Sequence, residues 1–246
     1  MNTAKIEFSE CGDCPIRHRA VCSRCETDEL EQLNKIKFYK SYPAGQTIAI
    51  RGEPLQNVAS IVAGTATLTR SIEDGRTQMV GLLLPSDFIG RPGRDTLQYD
   101  VTAVSDVTLC CFQRKPFEKL LEELPHVRER LLEMALDELD AARDWMLLLG
   151  RKTARERIAS LLTLMVKRTI RPDGEVMGNS SRIELPITRE AMANYLGLTI
   201  ETVSRQLTKL KNDGIIGIEG KRAITIPDLG ALLAETGDDE DGGMIV

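Results

Sequence analysis

The stretch ITREAMANYLGLTIETVSRQL, residues 187–207, has the spacing of a helix-turn-helix. Small Ala193 allows two helices to pack closely, Gly197 can take the positive φ of the turn, and Val203 buries the second helix against the first. Thr188 stands just before the apolar run and is predicted to cap the first helix. Two ordinary core helices are the alternative, but these offsets occur together with a local surplus of basic residues. The stretch therefore predicts a DNA-binding element.

The segment that follows predicts a wing beside this element. GIIGIEGKRAITI, residues 214–226, has the pattern of two short strands around a Gly-Lys-Arg turn. Lys221 and Arg222 at the tip would contact phosphate, which positions a protein on DNA without reading its sequence.

The distribution of charge supports this interpretation better than the total does. The whole chain has a formal net charge of −5 and a pI of about 5.3. Counted by segment, the net charge is −5 for residues 1–150, +6 for residues 151–226 and −6 for residues 227–246. One basic segment between two acidic ones is expected when a single domain of the chain contacts phosphate.

Upstream of the basic segment, the pattern indicates a β-structure followed by a long helix. Short apolar or alternating runs between Ile36 and Phe112 are separated by turn sequences roughly every 8–12 residues, as in an antiparallel sandwich, barrel or jelly roll. The runs cover residues 47–50, 59–62, 66–69, 79–83 and 101–112.

Between Pro125 and Gly150, apolar residues recur at alternating spacings of three and four. This heptad-like pattern predicts a helix that forms a dimer seam, and small alanines within it allow close helix approach. An amphipathic helix lying on its own domain is the alternative. The predicted seam consists of Leu132, Ala135, Leu139, Ala142, Met146 and Leu149. A further helix over residues 153–168 is predicted to end at the turn RPDG, residues 171–174.

These features predict an α+β chain of five segments. They are an N-terminal cysteine segment (1–28), a β-roll sensor domain (29–124), a dimerisation helix (125–150), a winged helix-turn-helix domain (151–230) and an acidic C-terminal tail (231–246). The tail is interpreted as a disordered acidic end, with autoinhibition of the basic domain as a minor alternative.

A β-roll, a long helix and a winged helix carrying Glu-Thr-Val-Ser-Arg together resemble the Crp/Fnr family of transcription regulators along nearly the whole chain. Glu201, Ser204 and Arg205 resemble the recognition helix of the Fnr branch, whose half-site is TTGAT. In this interpretation Arg205 contacts guanine, Glu201 accepts from a cytosine amino group, and Ser204 contacts a thymine methyl or a base edge. Thr199 and Thr202, with Lys221 and Arg222, are the predicted backbone contacts.

Six cysteines in a chain without a secretory signal favour metal or redox chemistry over structural disulfides. Cys11, Cys14 and Cys22 resemble the N-terminal cluster ligands of the Fnr oxygen sensors, whose fourth ligand follows an aliphatic residue on a roll strand; here that is Cys110. The resemblance implies one [4Fe–4S] cluster per subunit, and thiolates are the ligands such clusters use. Adjacent Cys111 is the alternate, although neighbours on a strand point to opposite faces.

Cys25 leaves other interpretations open. The spacing C-x2-C-x7-C-x2-C could close a tetrahedral zinc site with no residue from the roll, and a thiol–disulfide switch is a third possibility.

Other sensing chemistries fit the sequence less well. The cyclic-nucleotide members of the family carry a phosphate-binding Gly-Glu and Arg-Ser, whereas this chain has DFIGRPGRD, residues 87–95, so no cyclic nucleotide is expected. Haem is disfavoured because both histidines, His18 and His126, are interpreted as exposed polar residues. A cupin-like enzyme is disfavoured because the strands contain no His-x-His and no paired carboxylates.

The resemblance implies a homodimeric activator that contacts RNA polymerase and binds palindromic DNA while the cluster is intact. Its recognition helices would lie about 34 Å apart, one helical turn of DNA. Oxygen would convert the cluster, relax the N-terminal segment and weaken the seam. No apolar run is long enough to span a membrane, so a cytoplasmic protein is expected.

Overall fold

The computed structural model describes residues 10–169, 181–220 and 222–238. Its seven helices in that part of the chain are α1 (Thr27–Ile36), α2 (Arg114–Glu123), α3 (Pro125–Arg151), α4 (Ala154–Thr169), α5 (Arg189–Leu196), α6 (Ile200–Asn212) and α7 (Leu229–Ala234). Among the described residues, no helix combines the length and the apolar character needed to cross a membrane.

The strands form three antiparallel sheets. The strands are β1 (Lys37–Tyr42), β2 (Thr47–Ala49), β3 (Asn57–Ala63), β4 (Ala66–Ser71), β5 (Thr77–Leu83), β6 (Phe88–Ile89), β7 (Asp100–Ala103), β8 (Val107–Gln113), β9 (Ser181–Glu184), β10 (Gly217–Glu219) and β11 (Ala223–Ile226). Sheet orders are β1-β8-β3-β6, β2-β7-β4-β5 and β10-β11-β9. The first two make the predicted roll and the third makes the wing, so the predicted α+β class is confirmed.

The roll has one hydrophobic core on each side of β8. Leu109 and Cys111 belong to the core shared with the second sheet, together with Ile61 and Val101. Cys110 and Phe112 face the other side. Side chains alternate along a strand, so each face of β8 is built from every second residue.

The second core lies between the outer face of the first sheet and a helical layer. It combines buried residues of the N-terminal segment, of α1 and α2, and of the start of α3. Leu33, Phe117 and Val127 are fully buried there, and the Phe117 ring packs tilted against Phe112, with centroids 5.1 Å apart. The N-terminal segment is thereby held against the roll by an apolar core.

Several elements depart from the sequence-based expectation. The run predicted over residues 101–112 is two strands, β7 and β8, separated by a turn in which Thr65 donates its backbone N–H to the Ser105 hydroxyl. α1, α2, α7, β1, β6 and β9 were not predicted. β1 has little apolar alternation, and β9 precedes the helix-turn-helix without a turn signature of its own. The turn predicted at residues 171–174 lies outside the described residues.

The chain divides into two compact units, Met1–Ala135 and Leu136–Val246. The division falls within α3, which begins in the first unit and ends in the second. The boundary proposed between the DNA-binding domain and the tail falls inside α7, where Leu232 is fully buried. Residues 239–246 of the tail lie outside the described part.

Candidate functional site

α5 and α6 form the helix-turn-helix. The Thr188 hydroxyl accepts from the backbone N–H of Ala191 at 3.1 Å, so it caps α5 as the sequence predicted. Gly197 ends α5 in the left-handed conformation with φ 62°, which glycine takes without a Cβ penalty. Ala193 and Val203 are buried. The residues that identified the element from sequence therefore occupy the packing and turn positions assigned to them.

Arg157 on α4 donates hydrogen bonds to three backbone carbonyls next to the helix-turn-helix. Its guanidinium donates to the carbonyl oxygens of Leu149 at 2.8 Å, Lys152 at 3.0 Å and Leu196 at 2.9 Å. Carbonyls at helix ends have no partner within their own helix, and a charged donor is a strong one. Arg157 thus fixes the end of α3 to the end of α5. No local sequence pattern marks Arg157, because its role depends on how α3 and α5 end beside α4 in the folded chain.

A second link joins the end of α3 to α5. The rings of Trp145 and Tyr195 stack with centroids 4.1 Å apart and planes 22° apart. Together with Arg157, this pair makes the C-terminal part of α3 and the helix-turn-helix one packed body.

The predicted base-reading residues lie on α6. Glu201 and Arg205 are exposed one turn apart, and Ser204 is half-buried. Arg189 at the start of α5 donates to the Ser204 hydroxyl at 3.4 Å. The pKa of Glu201 is lowered by its own backbone N–H and by the Thr199 hydroxyl, so its carboxylate is an acceptor at neutral pH.

The predicted backbone-contacting residues are only partly described. The Thr199 hydroxyl caps α6 by accepting from the backbone N–H of Thr202 at 3.2 Å, and the two hydroxyls are 3.1 Å apart. Arg222 is exposed next to β11 in the wing, and Lys221 lies outside the described residues. Helix N-termini bind anions, so the start of α6 is a suitable place for phosphate.

Four cysteines from distant parts of the chain line one pocket on the outer face of the roll. Cys11, Cys14 and Cys22 come from the N-terminal segment, which consists of turns, and Cys110 comes from β8. Cys25 belongs to the apolar core beside them and does not line the pocket. The other lining residues are Ile16, Ala20, Val21, Leu33, Tyr39, Ser60 and Phe112.

Cys110 and Cys111 are separated by the sheet. Cys110 faces the N-terminal segment, whereas Cys111 is buried in the core between the two sheets of the roll. The Cys111 thiol is 4.0 Å from the Leu109 carbonyl. Among the two neighbours, only Cys110 is placed to act together with the N-terminal thiols.

Burial raises the pKa values of five thiols in and around this pocket. Desolvation raises the pKa of Cys22 to about 11, that of Cys25 to about 12 and that of Cys111 to about 11, and it also raises those of Cys14 and Cys110. The thiols of Cys14, Cys22 and Cys110 are therefore protonated at neutral pH when no metal is bound. A metal ligand must be a thiolate, so metal binding there would release protons.

The donor set of the pocket fits an iron–sulfur cluster. Four thiols in an apolar lining are soft ligands of the number and type that a [4Fe–4S] centre requires. Within residues 10–169, 181–220 and 222–238, no three His, Cys, Asp or Glu side chains come close enough to hold a single ion. The cavity is about 20 Å³, room for little more than one water molecule, so a cluster would have to displace the turns of the N-terminal segment.

The cysteine segment is also tied to α3. Arg24 pairs with Glu133 at 2.6 Å, and Arg130 donates to the Arg19 carbonyl at 2.9 Å and to Glu133 at 3.2 Å. These contacts flank Cys22 on both sides in the sequence.

A further contact joins α1 to the first turn of α3. His126 Nδ1 is 2.9 Å from the carboxylate of Glu29, which is largely buried. The hydrogen bond and the charge of Glu29 raise the pKa of His126. His18 is exposed, as expected, but His126 is a partner of Glu29 and not an isolated surface residue.

The predicted dimer seam is apolar and uncovered within one chain. Leu132 is 61% exposed and Met146 is 74% exposed, whereas Leu149 is half-buried. Leu136 and Leu147, which the heptad pattern did not include, are also exposed and widen the apolar stripe. Ala135, Leu139 and Ala142 complete the exposed part of the seam. Large exposed apolar side chains on one helix indicate an interaction surface.

Comparisons with known proteins agree with this architecture. The sequence model of the Crp-like helix-turn-helix domain matches residues 156–235, and that of the cyclic nucleotide-binding domain matches residues 39–124.

Two curated relatives span nearly the whole chain. The transcriptional activator protein FnrL of Cereibacter sphaeroides is 61% identical over 236 residues, which cover 96% of this chain and 95% of that protein. The nitrogen fixation regulation protein FixK of Bradyrhizobium diazoefficiens is 37% identical over 208 residues, which cover 85% of this chain and 86% of that protein. The solved structure of FixK2 from Bradyrhizobium japonicum superposes with a TM-score of 0.75 at 32% identity, covering 83% of this chain and 99% of that one.

Proposed function

This chain belongs to the Crp/Fnr family of transcription regulators, and from that premise we propose that it is an oxygen-responsive activator controlled by a [4Fe–4S] cluster. Its relatives are DNA-binding transcription activators and not enzymes, which excludes a cupin-like enzyme. The proposal adds the sensing chemistry, the cluster ligands and the half-site to that family membership.

One observation carries the proposal: Cys11, Cys14, Cys22 and Cys110 line a common pocket although about 90 residues separate the third from the fourth. A local zinc knuckle would use Cys25 and would leave Cys110 without a role. In the structure Cys25 is part of the apolar core, while Cys110 faces the other three thiols. When bound, the cluster would supply a centre that oxygen converts, as in the relatives that the cysteine pattern resembles.

A change in the cysteine pocket would be transmitted to α3 through direct contacts of the N-terminal segment. The turns that carry Cys22 contact α3 through Arg24, Glu133 and Arg130. A shift of these turns changes the contacts of α3 at the point where its exposed apolar stripe begins, at Leu132. The same helix ends at the carbonyls held by Arg157, so pairing of two α3 helices positions two helix-turn-helix elements.

Dimerisation then sets DNA affinity, because a monomer contacts only one half-site. Arg205, Glu201 and Ser204 would read a TTGAT-type palindrome, each good base contact contributing about 1–3 kcal/mol of discrimination. Thr199, Thr202, Lys221 and Arg222 would contact the backbone. We further propose that the protein contacts RNA polymerase, takes no cyclic nucleotide and acts in the cytoplasm.

The test is purification of the full chain without air, followed by iron, sulfide and zinc analysis and by binding to a TTGAT palindrome before and after air is admitted. We expect a brown protein with about four irons per chain whose colour and DNA affinity fall together in air. A colourless protein with about one zinc per chain, indifferent to air, would sink the oxygen-sensor proposal while leaving DNA binding in place.

Two neighbouring variants sharpen this test. Cys110→Ser is expected to lose the iron, and Cys111→Ser, its matched control on the same strand, is expected to keep it. Both substitutions replace a buried thiol by a hydroxyl, so a shared folding defect would appear in both. Equal iron contents in the two variants would contradict the assignment of Cys110.

A further inference from the structure

Lys37 lies beside the cysteine pocket on the same face of the sheet. It is the first residue of β1, whose register places Lys37 opposite Phe112 and Tyr39 opposite Cys110. Residues two apart on a strand share a face, so Lys37 and Tyr39 both belong to the side of the sheet on which Phe112 and Cys110 line the pocket. The Lys37 ammonium lies 5.3 Å from the centroid of the Tyr39 ring.

The end of this side chain is buried without a hydrogen-bond partner in the described residues. A buried ammonium is costly unless an anion or good acceptors compensate it. The contact with the Tyr39 ring compensates only part of that cost, because a cation–π contact is worth about 0.5–2 kcal/mol. No carboxylate occurs among the lining residues described for the pocket.

A bound cluster would supply the missing anion. Four thiolates around a [4Fe–4S]²⁺ core give a net charge of about −2, and the charge around a cluster is one of the factors that set its reduction potential. Arg17, another cation near these thiols, donates from a terminal nitrogen to the Cys25 carbonyl at 3.1 Å, although its Nε is buried without a described partner. The Lys37 ammonium, by contrast, has no hydrogen-bond partner at its single nitrogen among the described residues.

We propose that Lys37 is the counter-charge of the cysteine pocket. It is a positioning residue that stabilises the anionic thiolate-bound cluster and raises its reduction potential. This proposal rests on the proposed cluster. It gives Lys37 a role in retaining iron and in setting the reduction potential, with no bond from lysine to iron.

The matched substitutions are Lys37→Met and Lys40→Met. Methionine keeps the length of the side chain and removes the charge. Lys40 lies on the same strand but points to the opposite face of the sheet. It is exposed, and its ammonium lies 4.8 Å from the centroid of the Tyr42 ring. Lys37→Arg restores the charge and serves as the rescue variant.

The readouts are the rate at which anaerobic full-length protein gives up iron to a ferrous chelator, and the midpoint potential of the cluster. For Lys37→Met we expect about tenfold faster iron loss and a lower reduction potential. A nearby cation stabilises the reduced cluster, which carries more negative charge, so its removal makes reduction harder. Lys37→Arg and Lys40→Met should stay within about twofold of the wild type.

Thermal unfolding separates this role from a merely structural one. In the metal-free protein, Lys37→Met should leave the unfolding temperature unchanged or raise it, because it removes a buried charge without an anion. In the iron-loaded protein the same change should lower it. A structural lysine would move both in the same direction, and that result would overturn the proposal.

The outcomes also distinguish the two levels of inference. Iron-loaded wild type with unchanged iron loss and potential in Lys37→Met would overturn the role of Lys37 and leave the cluster standing. Wild type that takes up no iron would overturn both.

Discussion

The helix-turn-helix and the cysteine pocket are built in opposite ways. α5, the turn and α6 come from one continuous stretch, and their fixed points lie within a few residues of each other. The pocket draws Cys11, Cys14 and Cys22 from turns without regular structure and Cys110 from a strand near the middle of the chain. The first is a local structure that tertiary packing supports, and the second exists only after the roll has formed.

This difference predicts that the helix-turn-helix can be lost while the pocket keeps its metal, although loss of the cluster would still lower DNA affinity. Each belongs to a compact unit with its own buried residues.

Val203→Asp should abolish DNA binding while leaving the iron content unchanged. Val203 is fully buried between the helices, and an unpaired carboxylate there costs about 3 kcal/mol or more. Binding to a TTGAT palindrome and iron analysis on the same anaerobic preparation measure both effects. Leu233→Asp, an equivalent change at an exposed apolar position on α7, is the control that should keep both properties. Loss of iron in Val203→Asp would mean that the two sites are not independent.

Cys22→Ser should remove nearly all the iron, and Cys25→Ala should retain it. Cys22 lines the pocket, whereas Cys25 is packed in the adjacent core. Cys25→Ala should still lower the unfolding temperature, because it removes a buried sulfur atom. Metal analysis together with thermal unfolding of the two variants separates ligand loss from core damage. The reverse result, with metal lost in Cys25→Ala and kept in Cys22→Ser, would favour a site that uses the fourth N-terminal cysteine.

The contrast also explains what the sequence could predict. Ala193, Gly197 and Val203 have fixed offsets, so the helix-turn-helix was predicted to the level of its Thr188 cap. Alternation along a strand was enough to expect opposite faces for Cys110 and Cys111, because that rule is local.

Other features had no local signal. β1 has the sequence KFYKSY, in which lysines and aromatic residues interrupt the apolar alternation, so neither the strand nor the place of Lys37 was predicted. α1 begins with a capping box of Glu26 and Glu29 that was overlooked. Arg157 depends on carbonyls from two other helices, and Leu136 and Leu147 fall outside a strict heptad although they widen the same stripe.

Arg157→Met should destabilise the second unit without affecting the cysteine pocket. It removes three charged hydrogen bonds to helix-end carbonyls and leaves those carbonyls to find other partners, a loss of about 3 kcal/mol in the free energy of unfolding. Chemical unfolding monitored by Trp145 fluorescence measures it, since Trp145 stacks on Tyr195 in the same unit. Lys167→Met, an exposed position on α4, should change stability by less than about 0.5 kcal/mol. Equal effects of the two substitutions would show that Arg157 does not fasten these helices together.

The smallest expected effect is a pH dependence of the contact between α1 and α3. The hydrogen bond and charge of Glu29 raise the pKa of His126, so the folded state favours the imidazolium more than the unfolded state does. The resulting stabilisation is fully present below the unfolded pKa of about 6.5 and is lost as pH rises through the higher folded value. The unfolding temperature of the wild type relative to His126→Gln should therefore fall between about pH 6 and pH 8, while His18→Gln, an exposed control, should follow the wild type. A difference between wild type and His126→Gln that stays constant across this range would mean that Glu29 holds the imidazole by packing and not by charge.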